Sequence, residues 1–254
     1  MLIFDFDGVL INSIDEVVLT TYNAATGSLH TAMTDLPSEL VMLFKRNRFH
    51  VQPIGDAILM MQWCLKNYQT VPEKMITPHE YQRIVADTTV ALRMRSDRIY
   101  EKRSRFIEKD QSAWLALHRP YQPLWDQLIH SDYQPLVILT NKNKDATLRL
   151  CRYFNLNVNQ DNVYPGDHGI TKFQHMHRIR ERFGADLYYF IDDSVKNLKQ
   201  LEADINPGKK VIALMFAAWG YTGPDDHKLA ESHGYPVFHQ KDLISFLEQQ
   251  QKQT

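Results

Sequence analysis

Short apolar runs that are continuous rather than alternating recur along this chain, and they constrain its fold more than any other feature. The runs are Leu2 to Phe4, Leu136 to Leu139, Leu187 to Ile191 and Val211 to Met215, with Pro236 to Phe238 as a weak fifth. A strand that is apolar on both sides must be covered on both, as happens in a parallel sheet packed between helices. Helical patterns follow three of the runs, at Asp145 to Phe154, Val195 to Ala203 and Asp225 to His233. The alternation predicts an α/β protein with a parallel sheet covered on both faces.

Between Ser13 and Leu117 no comparable run occurs, and helical patterns fill the interval. Asp56 to Asn67 is one, opened by Pro53 and Gly55. A longer one extends from His79 to Lys109, with Thr77 as N-cap and Pro78 as first helical residue. Val85, Leu92, Ile99 and Phe106 recur along it at heptad spacing, with Tyr81 and Thr88 widening the stripe, so one continuous amphipathic helix is expected. The block reads as a helical domain, residues 14–117, inserted into an α/β core of residues 1–13 and 118–254. The Gln-rich tail after Glu248 is expected to fray.

At 254 residues, 44% hydrophobic and 23% charged, the chain has ordinary globular proportions and enough length for a sizeable core. A formal net charge of -1 argues against broad attraction to nucleic acid or to an anionic membrane. Cys64 and Cys151 sit in apolar or helix-like contexts and read as buried reduced thiols. Asp5 and Asp7 interrupt the first apolar stretch too early for a signal peptide. The longest apolar run, Val211 to Trp219, falls short of the about 20 residues that a membrane helix needs. A cytoplasmic protein is expected; its oligomeric state is not readable.

The first strand ends on two acids, Asp5 and Asp7, with Gly8 directly behind. Like charges about 4 Å apart repel by roughly 4 kcal/mol at an effective dielectric of about 20, so a cation or a shared proton is expected between them. A hard divalent cation with oxygen ligands, such as Mg²⁺, would supply that charge. Ligands of parallel sheets bind at the carboxyl ends of strands. Thr140 and the pair Asp192 and Asp193 also fall at such ends. Thr140 and Asn141, just before a helix start near Asn143 or Lys144, would form an anion cradle with free backbone N–H groups.

Four patches, in order, resemble the haloacid dehalogenase superfamily of phosphohydrolases, in the branch with a helical cap that includes phosphoglycolate phosphatase and β-phosphoglucomutase. Asp5-Phe6-Asp7-Gly8-Val9-Leu10 with Ser13 resembles the first motif, and Leu136 to Asn141 the second. Lys172 resembles the third, and Phe190 to Ser194 with Asn197 the fourth. The resemblance implies a Rossmann-like three-layer core with an inserted cap. It implies a Mg²⁺-dependent phosphatase acting on a small phosphorylated metabolite, with no nucleic acid or membrane partner. Asp5 is then the nucleophile that forms an aspartyl-phosphate, and Asp7 the group that protonates the leaving oxygen and later takes a proton from water. Thr140, Asn141 and Lys172 bind the phosphoryl group, and Asp5, Asp7 and Asp193 form the metal site. Nothing local selects Lys172 over Lys142 or Lys144; motif order does. Phe173 stands where a proline is common, Asp192 where many relatives carry glycine, and Asn197 where an acid is frequent, so Asn197 is expected to act through ordered water. Asp5, Asp193 and a phosphate dianion total about -4 against +3 from Mg²⁺ and Lys172, with Asp7 neutral when acting as acid.

Other features carry plainer readings. Arg95, Arg98, Lys102, Arg105 and Lys109 form a basic stripe interleaved with acids, which reads as a solvated face. Lys45, Arg46 and Arg48 cluster in the inserted block and are candidates for a substrate contact, with nothing in the sequence to select one of them. His168, His175 and His177 do not share a helix face and argue against zinc. Trp219 and Tyr221, in a segment resembling an edge loop of phosphoglycolate phosphatase-like proteins, read as packing. A phosphomutase of the same branch, or a catalytically weak binding or regulatory module, would keep the same motifs.

Overall fold

The computed structural model describes residues 1–130, 134–166, 170–205 and 211–252. The chain divides into two compact units, Met1–Asn12 with Arg119–Thr254, and Ser13–His118. In the first unit the strands are β1 (Leu2–Phe4), β2 (Ile11–Asn12), β3 (Arg119–Pro120), β4 (Val137–Leu139), β5 (Val163–Tyr164), β6 (Tyr188–Asp192), β7 (Ile212–Ala217) and β8 (Val237–Phe238). The second unit holds helices α1 (Ile14–Thr26), α2 (Ser38–Arg46), α3 (Ala57–Asn67), α4 (Pro78–Ala86), α5 (Leu92–Lys109) and α6 (Gln111–Ala116). The remaining helices belong to the first unit: α7 (Leu124–His130), α8 (Lys144–Tyr153), α9 (Lys172–Phe183), α10 (Val195–Ile205), α11 (Asp226–Ser232) and α12 (Gln240–Lys252).

Six strands form one sheet in the order β5-β4-β1-β6-β7-β8, and every pairing is parallel. From β1 the chain later adds β4 and β5 on one side, then β6, β7 and β8 on the other. Right-handed crossovers therefore lay the helices on opposite faces in the two halves, giving the three-layer, Rossmann-like α/β core. The continuous apolar runs are its centre: Leu2, Ile3, Phe4, Val137, Ile138 and Leu139 are all buried. Helices α9 and α10 supply Met176, Ile179, Leu198 and Leu201 to the core cluster around Phe190 and Phe216. Each fully buried side chain of this size contributes about 1.5–3 kcal/mol relative to exposure. β2 and β3 pair separately as a short antiparallel ribbon, Ile11 against Pro120 and Asn12 against Arg119.

The helical unit departs from the sequence expectation along its longest pattern. A break at Asp87–Ala91 separates α4 from α5. The run Thr88-Thr89-Val90 is β-branched, and Thr88 Oγ1 accepts from the Val90 amide at 3.2 Å, a local bond that competes with the helix ladder. The heptad stripe fails with it: Ile99 and Phe106 are buried, but Leu92 is 43% exposed. The basic stripe is a solvated face only in part, with Arg98, Arg105 and Lys109 exposed and the other two members turned inward. Arg95 and Lys102 are buried, Arg95 on Asp56 and Lys102 on the Gly27 and Ser28 carbonyls at 2.8 and 2.9 Å. Thr77 does form the expected cap, as a full capping box with Glu80. At the other end of the chain the Gln-rich segment stays helical through Lys252. Among the described residues no helix is long and apolar enough to cross a membrane.

Candidate active site

Where β1 and β6 end, the register brings acids together. Phe4 lies opposite Ile191, and the Asp5 amide donates to the Ile191 carbonyl at 2.9 Å, so Asp5 stands beside Asp192 on the neighbouring strand. Directly opposed like charges disfavour pairing. Lys172 offsets this, with Nζ 3.0 Å from Asp5 Oδ1 and 2.6 Å from Asp192 Oδ2. Its placement follows from the start of α9, where Thr171 and Gln174 make a capping box.

Asp192 is fully buried and carries further donors: the Ser194 amide at 2.8 Å, and the Asn197 amide group at 3.3 and 3.1 Å from its two oxygens. Sequence reasoning sends Asn197 to ordered water; its side chain instead holds Asp192 directly. Asp193 points to a different set of partners. Its Oδ2 accepts from the Tyr221 amide at 2.6 Å. Two glycines make room for it. A Cβ on Gly8, whose φ is +87°, would lie 2.0 Å from Asp193 Oδ2, and a Cβ on Gly220 would lie 2.3 Å from Asp193 Cβ. Gly8 is thus required by the neighbouring acid as well as by the turn it makes.

Asp5, Asp192 and Asp193 are all buried, and their ligating oxygens lie within 4.8 Å of one another. The sequence expectation groups Asp7 with Asp5; in the structure the converging carboxylates are these three. Asp7 turns its carboxylate to Lys142, whose Nζ is 3.1 Å from Oδ1. Thr140 is buried at the end of β4, its amide on the Tyr164 carbonyl at 3.0 Å and its Oγ1 accepting from the Lys142 amide at 3.1 Å. Asn141 is exposed. Asn143 caps α8 through its side chain.

Burial pushes the Asp5 carboxyl well above its ordinary range; Lys172 pulls it down, and Asp192 and Asp193 push it up again. Burial also opposes the charge on Lys172, but Asp192 and Asp5 outweigh it and hold the ammonium above its ordinary value. Three buried carboxylates, those of Asp5, Asp192 and Asp193, thus gather around Lys172, while Asp7 pairs with Lys142. An all-oxygen donor set with excess negative charge fits a hard divalent cation, which would relieve the raised Asp5.

Solved structures of similar shape span almost the whole chain. A predicted phosphoglycolate phosphatase from Haemophilus somnus matches with a TM-score of 0.59 at 15% identity, over 97% of this chain and 96% of that one. A haloacid dehalogenase-like protein of unknown function from Agrobacterium tumefaciens matches with a TM-score of 0.53 at 13% identity, over 98% and 97%. The chain has the haloacid dehalogenase-like fold. A predicted phosphatase from Clostridium acetobutylicum shares this fold at 14% identity, with a TM-score of 0.54 over 98% and 97% of the two chains. No protein-family model matches the sequence, and neither does any curated relative.

Other sequence features have local partners. His175 Nε2 lies 2.6 Å from the Pro165 carbonyl, His177 packs on Phe173, and His168 lies outside the described residues. In the basic cluster of the helical unit, Lys45 pairs with Asp15, Arg46 bonds the Glu73 carbonyl and Arg48 the Val51 carbonyl. Trp219 Nε1 donates to the Val9 carbonyl at 3.0 Å, and Tyr221 O–H to Asn12 Oδ1 at 3.4 Å. Sequence reasoning missed Lys142 and the Gly220-Tyr221 contact with Asp193. Proximity of Lys142 to the end of β4 is a signal for the first. The second is made by a backbone N–H and a missing Cβ, which leave little trace in residue type.

Proposed function

We propose that the protein is a Mg²⁺-dependent phosphomonoesterase that hydrolyses a small phosphorylated metabolite through an aspartyl-phosphate on Asp5. The observation that carries the reading is the Asp5–Lys172 pair at the end of β1, beside two further buried acids. The names of two structural neighbours, a predicted phosphoglycolate phosphatase and a predicted phosphatase, point the same way.

In this reading Asp5 attacks phosphorus, and the bond to the leaving oxygen breaks as Asp7 gives that oxygen a proton. Asp7 then takes a proton from the water that attacks the aspartyl-phosphate, and Asp5 returns as a carboxylate. Lys172 balances charge on Asp5 and on the phosphoryl oxygens, and Thr140 with the backbone before α8 holds the phosphate. Asp5, Asp193 and the turn at Asp7 would hold the metal, with Asp192 close enough to join them. When bound, the metal supplies positive charge to the phosphoryl oxygens and the nucleophile. The inserted helical unit acts as the cap that selects the rest of the substrate.

The test is hydrolysis of p-nitrophenyl phosphate, followed by a panel of phosphorylated metabolites, with Mg²⁺ and with EDTA. Wild type is expected to turn over with Mg²⁺ and to stop in EDTA, and Asp5→Asn to remain at the blank. Equal rates in EDTA and with Asp5→Asn would sink the mechanism.

A further inference from the structure

Lys142 is buried beside Asp7 although no motif selects it. The backbone around it is held on both sides: its amide donates to Thr140 Oγ1 at 3.1 Å and its carbonyl accepts from the Gly166 amide at 3.3 Å. Gly166 sits so tightly on this turn that a Cβ would lie 2.6 Å from the Asn141 carbonyl oxygen. The side chain of Lys142 is 2% exposed and that of Asp7 24%, with 3.1 Å between Nζ and Oδ1. Burying an ammonium is costly unless a carboxylate faces it, so the fold commits this lysine to Asp7. Lys172 is not available for that task, being bonded to Asp5 and Asp192.

Asp7 has reason to need such a partner. Its backbone lies in a tight turn, with the Leu10 and Ile11 amides both on the Phe6 carbonyl and the Gly8 amide on the Ile11 carbonyl. That turn fixes the Cα, and the contact with Lys142 Nζ at 3.1 Å sets the direction of the carboxylate. A general acid works only within hydrogen-bond reach of the oxygen it protonates, and a misplacement of about 1 Å costs up to about 10²-fold.

We propose that Lys142 is a positioning residue that aims the carboxyl of Asp7 at the leaving-group oxygen, an inference that rests on the phosphatase reading above. In the first step Asp5 forms its bond to phosphorus while the bond to the leaving oxygen breaks. The bonding pair goes to that oxygen, which takes the proton of Asp7. In the second step Asp7, now a carboxylate, accepts a proton from the attacking water as the bond between phosphorus and Asp5 breaks. Lys142 stays an ammonium throughout, neither giving nor receiving a proton.

The test compares kcat/KM of wild type and Lys142→Met across p-nitrophenyl phosphate, phenyl phosphate and an alkyl phosphate, with Mg²⁺ present. This ratio covers the steps up to loss of the leaving group. An acidic phenol departs without help, whereas an alkoxide needs the proton. The loss is therefore expected to grow along the series, from about 10-fold to about 10²-fold or more. A loss equal for all three esters, or none, overturns the proposal, because a purely structural lysine would slow every substrate alike. Should Lys142→Met not fold, Lys142→Gln carries the same series with the same expected steepening. If wild type cleaves no ester, the phosphatase reading itself fails; if it cleaves them and the variants merely parallel it, only the role of Lys142 does.

Discussion

In the helical unit the wholly buried Glu16 meets the Arg103 guanidinium through hydrogen bonds of 2.7 and 2.9 Å and accepts a third from Thr20 at 2.7 Å. In the α/β core Asp5, Asp192 and Asp193 bring three buried carboxylates within 4.8 Å of one another. Asp56, also in the helical unit, is matched to Arg95 as Glu16 is to Arg103. In these two pairs acid and base are matched one to one, and their charge is settled within the protein. The core crowds its acids around Lys172 and pushes the Asp5 carboxyl up. Buried acids with matched partners are architecture; buried acids in excess imply a ligand that carries the missing charge.

The sharpest way to break that contrast is to remove a cation from the helical unit. Arg103→Met leaves the Glu16 carboxylate buried without its guanidinium, and a loss of about 3–5 kcal/mol in urea unfolding is expected. An effect below about 1 kcal/mol would mean that the pair is exchangeable for apolar packing. Second in size is Gly220→Ala in the core. The added methyl meets Asp193 Cβ at 2.3 Å and the Gly8 carbonyl oxygen at 2.5 Å, so the loop must move, at about 1–3 kcal/mol. Because Tyr221 bonds Asp193 from the same loop, the rise in Tm on adding Mg²⁺ should shrink as well. A stability loss with an unchanged Mg²⁺ response would separate the loop from the acid cluster.

Asp193→Asn tests the other side of the comparison. In a fully paired site, neutralising an acid destabilises; in a crowded one it relieves repulsion. The metal-free protein should therefore gain stability, by about 1–2 kcal/mol given the Coulomb scale for charges this close, and should lose its thermal response to Mg²⁺. A variant less stable than wild type without metal would show that Asp193 is matched as fully as Glu16.

What the sequence revealed follows the same division. The sheet was legible because buried parallel strands are continuous in apolar residues, as in Leu2-Ile3-Phe4 and Leu136 to Leu139. The two-residue strand Val163–Tyr164 was not, since two apolar residues carry no period. Acids at strand ends marked Asp5, Asp192 and Asp193, because such residues are out of place beside a core. Lys142 and Lys172 could not be assigned from spacing, since a lysine before a helix looks alike whether its stem turns inward or to water. In the helical unit, Arg95, Lys102 and Arg103 look like surface residues, and their burial depends on partners distant in sequence, Asp56, the Gly27 and Ser28 carbonyls, and Glu16. Tertiary pairing reversed the exposure that charge alone implies.

The mildest case lies at the surface of the helical unit, where Glu80 closes the capping box of α4. Its carboxyl is held down at about 2, first by the Lys74 side chain and then by the Thr77 amide and hydroxyl. This shift is opposite in direction to that of Asp5, because the donors of Lys74 and Thr77 outweigh the small desolvation of a surface carboxyl. A carboxyl depressed on folding stabilises the native state above its unfolded value, and that contribution is lost as pH falls toward the folded value. Acidification from about pH 5 toward pH 2 should therefore cost wild type slightly more than Glu80→Gln, whose side chain cannot titrate. Thr77→Ala, which removes the cap itself, should cost about 1 kcal/mol at neutral pH by urea unfolding. If Thr77→Ala is neutral, α4 is held by packing alone, and the one-to-one pairing seen around Glu16 does not extend to the surface of its unit.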